Sequence, residues 1–141
     1  MTTNSTGLMK RSFTDGQYTI SHQLDWLLKV SIEGPLGVRA GMALVGWLTD
    51  FFDHQDDTCY VLLDASNLGP VTPNILRELA ISLYHPRIGG VGVLGGMQGQ
   101  QRLEVLLVIT EHSEQVKFFQ NSAEAVTFLQ NLRRGKRVAE R

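Results

Sequence analysis

The side chains in this sequence that are equipped for chemistry stand apart from one another. Four histidines, His22, His54, His85 and His112, are widely separated. None forms the close pairing with Cys or His from which zinc sites are usually built. His54 has Asp53, Asp56 and Asp57 around it, a set that reads better as a solvated acidic loop than as a cation site. The one cysteine, Cys59, opens the apolar run Cys59-Tyr-Val-Leu-Leu63. A thiol in such surroundings keeps its proton, whereas the thiolate is the nucleophile. Ser21 and His22 are neighbours in sequence, which does not make a nucleophile and its base, because such pairs are spatial. Gly90-Val-Gly92-Val-Leu-Gly95 matches G-x-G-x-x-G. That motif holds a dinucleotide when it follows a strand and opens a helix, where free N–H groups meet the phosphates. Here the glycines fall within a strand-like segment, and no acidic residue ends a following strand at the expected distance. Close backbone packing, or a flexible loop at Gly95-Gly96, fits better. The sequence therefore predicts no catalytic residue, no metal site and no cofactor, since no set of acid, base and nucleophile is present.

A different kind of cluster follows the apolar run. Asp64-Ala-Ser66-Asn67-Leu-Gly69-Pro70-Val-Thr72-Pro73 is expected to lie where a buried strand ends and a helix begins. In open α/β sheets, functional sites gather at the carboxyl ends of strands. Asp64 is placed to accept hydrogen bonds from the loop backbone, and Ser66 or Asn67 to start an Asx- or ST-type turn. Thr72 and Pro73 have the types of an N-cap and a first helical residue. Asp64, Ser66, Asn67 and Thr72 form either a hydrogen-bonded cluster that steadies the loop or a regulatory and binding loop.

The elements that would position this loop follow from periodicity. Residues 18–33 have a β pattern, with Val30 and Ile32 alternating with Lys29, Ser31 and Glu33 and a turn within 21–25. Gly34-Pro35 is expected to stop the sheet. Residues 36–52 have helical spacing. Leu36, Ala40, Ala43, Leu44, Trp47, Leu48 and Phe51 lie on one stripe, and Val38, Met42, Val45 and Phe52 lie opposite. An ordinary surface helix is polar on that second side. The stripe is either covered by another part of the chain or is a partner surface. Further strands are expected at 59–63, 88–94 and 116–119, and helices from Thr72-Pro73 to Pro86 and after the capping box Asn121-Ser-Ala-Glu124. Residues 98–111 read as helix or strand, since periodicity does not separate the two in a continuous apolar run, and helix is preferred because 116–119 supplies the better final strand.

The result is an α/β domain: a small, mostly parallel mixed sheet of about five strands with helices mainly on one face. Residues 1–12 are expected to be a flexible leader, 13–132 the domain, and 133–141 a basic flexible tail. The 141 residues suit one domain, and 43% hydrophobic against 19% charged residues supports a core. A net charge of −1 argues against nucleic acid as partner. No apolar run is long enough to span a membrane, and a lone cysteine fits the cytoplasm.

Three segments resemble the STAS superfamily, in particular its SpoIIAA-like branch of bacterial and archaeal proteins. They are Val30-Ser-Ile-Glu-Gly34-Pro35, Val61-Leu-Leu-Asp64-Ala-Ser66-Asn-Leu, and Val116-Lys-Phe-Phe119-Gln-Asn-Ser-Ala-Glu124-Ala125-Val-Thr-Phe-Leu129. The resemblance implies a protein-interaction switch rather than an enzyme. In the branch's anti-sigma-factor antagonists a serine after the central strand is phosphorylated. The matching region here is Thr72-Pro73-Asn74, which has no serine and leaves Thr72 as the nearest hydroxyl. The expected function is a non-catalytic regulatory domain with a protein partner or a second copy of itself, docking through helix 36–52. A carrier or sensor of a small apolar ligand or lipid is the alternative.

Overall fold

The structure, a computed structural model, describes residues 8–95, 99–108 and 115–139. Its first two strands, β1 (Met9–Phe13) and β2 (Gly16–Leu24), form a hairpin, and the turn at Asp25-Trp26 leads into β3 (Leu27–Leu36). The chain then alternates through α1 (Val38–Asp53), β4 (Cys59–Val71), α2 (Pro73–Ser82), β5 (Ile88–Leu94), α3 (Gly99–Val108), β6 (Val116–Phe119) and α4 (Ser122–Ala139). The six strands lie side by side in chain order. The pairs β1–β2 and β2–β3 are antiparallel, and β3–β4, β4–β5 and β5–β6 are parallel.

Side-chain alternation along the central strands builds two cores, because successive residues of a strand point to opposite faces. Val61 and Leu63 of β4, with Val91 and Val93 of β5, join Ala40, Leu44, Leu48 and Phe52 of α1, Ile75, Leu76 and Leu79 of α2, and Val105 of α3. Tyr60 and Leu62 face the other way, with Leu27 and Leu94, onto Ala125 and Leu129 of α4. Three helices thus cover one face, as expected, and α4 covers the other.

Several expectations need correction. The sheet has six strands rather than about five, because residues 9–12, expected in the leader, form a strand with Phe13 that pairs with β2 from Met9↔Ile20 to Phe13↔Gly16. Leader residues 1–7 lie outside the described residues. Gly34-Pro35 does not stop the sheet. The register slips between Gly34 and Leu36, and Gly34 takes a positive φ of 73°, so Pro35 sits in a bulge where no ladder donor is required. α1 accordingly starts at Val38, and Leu36 ends β3. Residues 133–139 continue α4 as helix instead of a flexible tail. The helix expected over 98–111 is present as Gly99–Val108, and the remainder of that range lies outside the described residues.

Candidate functional site

β4 does not end at Asp64. Beyond that residue its partner β5 is finished, at Asp64↔Leu94. β3 alone continues alongside, through Glu33↔Asn67, Gly34↔Leu68 and Leu36↔Val71. The polar residues thus extend a strand past the body of the sheet, where the lost neighbour removes the demand for apolar side chains. The end of this extension packs closely on the β3 bulge: a Cβ on Gly69 would lie 3.0 Å from the carbonyl carbon of Gly34.

Within the extension, Asp64 Oδ1 accepts the Ser66 N–H at 3.0 Å, the local backbone bond the sequence suggests. Asp64 is half-buried, while Ser66 and Asn67 are exposed. The Ser66 side chain stands against Gly95, whose φ is +59°, and the Gly95 N–H reaches the Phe119 carbonyl at 2.8 Å. Thr72 caps α2 by position, with Pro73 as the first helical residue, but its side chain makes no capping hydrogen bond. Its backbone is pinned instead: Thr72 N–H donates to Leu36 O at 3.1 Å, and Thr72 O accepts from Leu76 N–H at 3.0 Å.

The stripe on α1 divides. Val38 and Met42 are exposed, at 58% and 49%, and Val45 is half-buried. Phe52 is fully buried in the core between sheet and helices, so it does not belong to a surface stripe. The last turn of α1 sits against the α2–β5 connection, and Phe52 packs at 5.6 Å on the His85 ring. The exposed part of the stripe is therefore confined to the first half of the helix. Gly41, between Val38 and Met42, abuts the Ile75 side chain so closely that a Cβ there would overlap it. This contact sets the first turns of α1 beside the first turn of α2. The two helix starts, the exposed Pro73 and Asn74 and the β4 extension all lie at the end of the sheet where the parallel strands finish.

The anchor of α1 comes from a distant part of the chain. Its N-cap is Gly37, which has no side chain to offer. Asp15, in the β1–β2 turn, substitutes for it. Its carboxylate accepts the Arg39 N–H at 2.7 Å and the Ala40 N–H at 3.0 Å, and its carbonyl accepts the Gly37 N–H at 2.9 Å. A carboxylate at a helix N-terminus also meets the positive end of the helix dipole.

The remaining reactive groups stay separate. Burial, then the nearby Asp57 carboxylate, pushes the Cys59 thiol above its ordinary pKa, opposed by Arg87. Its Sγ lies 3.6 Å from the Asp57 carbonyl. His85 pairs with Asp53, but His54 is held by Asp50 at the end of α1, its Nδ1 2.7 Å from the Asp50 carbonyl. Among the described residues no group of three or more His, Cys, Asp or Glu side chains comes together to hold a metal ion. Gly90 and Gly92 face α4, where a Cβ would lie 2.5 Å from Leu132 Cδ1 and 3.3 Å from Ala125 Cβ respectively. The glycine motif therefore allows helix and strand to approach closely and does not open a helix. Among the described residues no helix is long and apolar enough to cross a membrane.

No family model matches the chain, and no curated protein matches it. Solved structures do resemble it. A protein with a SpoIIAA-like fold from Shewanella loihica PV-4 superposes with a TM-score of 0.53 at 17% identity, covering 92% of this chain and 98% of the other. An anti-sigma factor antagonist from Mycobacterium paratuberculosis superposes with a TM-score of 0.55 at 14% identity, covering 87% of this chain and 92% of the other. The similarity extends over nearly the full length of both partners, and with the strand order and helix placement described above it identifies the chain's fold as SpoIIAA-like.

Proposed function

We propose that this protein is a non-catalytic regulatory domain that works by docking a protein, a second copy of itself in the first instance, on the face formed by the start of α1 and the β4–α2 corner. One observation carries this reading: Val38 and Met42 are large apolar side chains standing about half exposed on a helix whose other face is fully packed. Exposed apolar groups gathered on one element are a common mark of a contact surface. The Mycobacterium structure, described as an anti-sigma factor antagonist, supports a protein partner. The lone Cys59 suits a reducing cytoplasm.

Asp64, Ser66, Asn67 and Thr72 form the regulatory loop in this proposal. Phosphate on Thr72 would add a charge of about −1.5 to −2 beside the apolar contact, and a Thr72→Glu variant should mimic part of that effect by weakening association.

Light scattering over a range of protein concentrations tests the proposal. The wild type should approach the mass of a dimer as concentration rises. The Val38→Asp, Met42→Asp double variant should stay monomeric with an unchanged circular dichroism spectrum, because both side chains already face water. Equal masses for the two proteins at every concentration would remove self-association through this face.

A further inference from the structure

The opposite end of the sheet holds a different feature. α4 runs against the direction of β5 and outlasts it. Leu132 already lies over Gly90, near the start of that strand. The turns from Arg133 onward therefore project beyond the strand starts, at about 1.5 Å of rise per residue.

Two clefts lie under this overhang. One, of about 560 Å³, is mainly apolar, with Leu83, Pro86, Ile88, Val91, Val116 and Leu132 in its walls. The other, of about 610 Å³, is mainly polar and includes Trp26, Arg87 and Arg133. Thr58, Tyr60 and Lys136 line both, so the clefts are two halves of one groove joined under Lys136. The floor at the join is shaped by Gly89: a Cβ there would lie 2.6 Å from Thr58 Cγ2 and 2.8 Å from the Tyr60 ring.

The structure assigns this groove to a single-chain amphiphile with an anionic head, a carboxylate or a phosphate. The tail lies in the apolar half, and the head meets Lys136 and Arg133. Apolar walls with a few placed polar groups are the usual form of a small-molecule site. Arg133 is steadied by the Trp26 ring, 5.1 Å from its guanidinium carbon to the ring centroid. Arg87 is partly committed elsewhere, since its Nη1 donates to the Asp56 carbonyl at 3.1 Å. Asp25, Asp56 and Asp57 line the far side of the polar half. Their charge limits the head to a compact anion at Lys136 and rejects an extended polyanion. The proposal is independent of the docking face, which lies at the other end of the strands.

Isothermal titration calorimetry with decanoate, decyl phosphate, decanol and decyltrimethylammonium tests it on the full chain. At least one of the two anions should bind, and the tighter of them identifies the head. Affinity should rise about fourfold per methylene between the eight- and ten-carbon members of that series. Decanol and the alkylammonium should bind roughly tenfold more weakly or worse, given the strength of charge-assisted hydrogen bonds. Arg133→Glu combined with Lys136→Glu should lower anion affinity by a similar factor with the melting temperature unchanged, and Val38→Asp with Met42→Asp should leave it intact. Absence of binding by both anions, equal binding of the alkylammonium, or an unaffected Arg133/Lys136 variant would overturn the assignment.

Discussion

His85 Nε2 stands 2.8 Å from Asp53 Oδ1, while the other ring nitrogen, Nδ1, accepts the Arg87 N–H at 3.0 Å. The second bond fixes the first. A nitrogen that accepts an N–H carries no proton of its own, so the neutral ring holds its proton on Nε2 and donates it to Asp53. The ring thereby ties the last residue of α1 to the connection between α2 and β5, with Phe52 against its face. Both ring nitrogens are committed to these bonds, which secure the end of α1. His85→Ala should lower stability by about 1–3 kcal/mol, because it removes two hydrogen bonds, to Asp53 and to the Arg87 N–H, each worth about 0.5–1.5 kcal/mol. Chemical denaturation at neutral pH measures this.

Asp15 should matter as much as any capping residue within a helix. It supplies two acceptors to N–H groups that Gly37 cannot satisfy. Asp15→Ala should cost about 0.5–2 kcal/mol. Asp15→Asn keeps one side-chain oxygen and should lose less. Urea denaturation of the three proteins checks the order, and equal midpoints would show that the cap contributes nothing.

These two anchors mark the boundary of what could be read in the sequence. α2, β5 and β6 were legible because their signals are local: Thr72-Pro73 starts a helix, Val91 and Val93 alternate, and Asn121 Oδ1 does accept the Glu124 N–H, at 2.9 Å. Asp15 was invisible because it acts on Ala40, 25 positions away. β1 is not legible because Lys10, Arg11 and Ser12 have the polarity of an edge strand, which the leader's composition imitates. Polar residues usually end buried strands, which is why the sequence points to a strand end at Asp64. The sequence does not reveal that β3, through its bulge at Gly34, continues beside residues 67–71. Phe52 is buried rather than part of a surface stripe: helical periodicity separates faces but does not say which of them the α2–β5 connection covers.

The contact between β5 and α4 should be sensitive to side-chain size. Gly92 faces Ala125, where a Cβ would lie 3.3 Å from the Ala125 Cβ and 3.7 Å from its carbonyl oxygen. Gly92→Ala brings tight but tolerable contact. Gly92→Val adds two methyls that the helix backbone must yield to, and overpacking of this kind costs about 1–3 kcal/mol. The valine variant should melt below the alanine variant. The aromatic pair Phe119–Phe128, on the same face, should show the change in its aromatic-ring NMR shifts.

His54 provides a pH dependence with a defined sign. Its pKa is raised above the ordinary 6.5, first by the hydrogen bond to the Asp50 backbone carbonyl and then by the Asp50 carboxylate. The ring is also at the end of α1, where a cation meets the negative end of the helix dipole. A native pKa above the unfolded one means that folding favours the protonated form. The stabilisation is therefore complete below the unfolded value of 6.5 and fades as pH rises through the raised native value. His54→Gln should melt below the wild type at pH 5.5, and the two melting curves should converge by pH 8.5. A gap that persists unchanged at pH 8.5 would mean that the neutral ring, not the charge, secures the helix end.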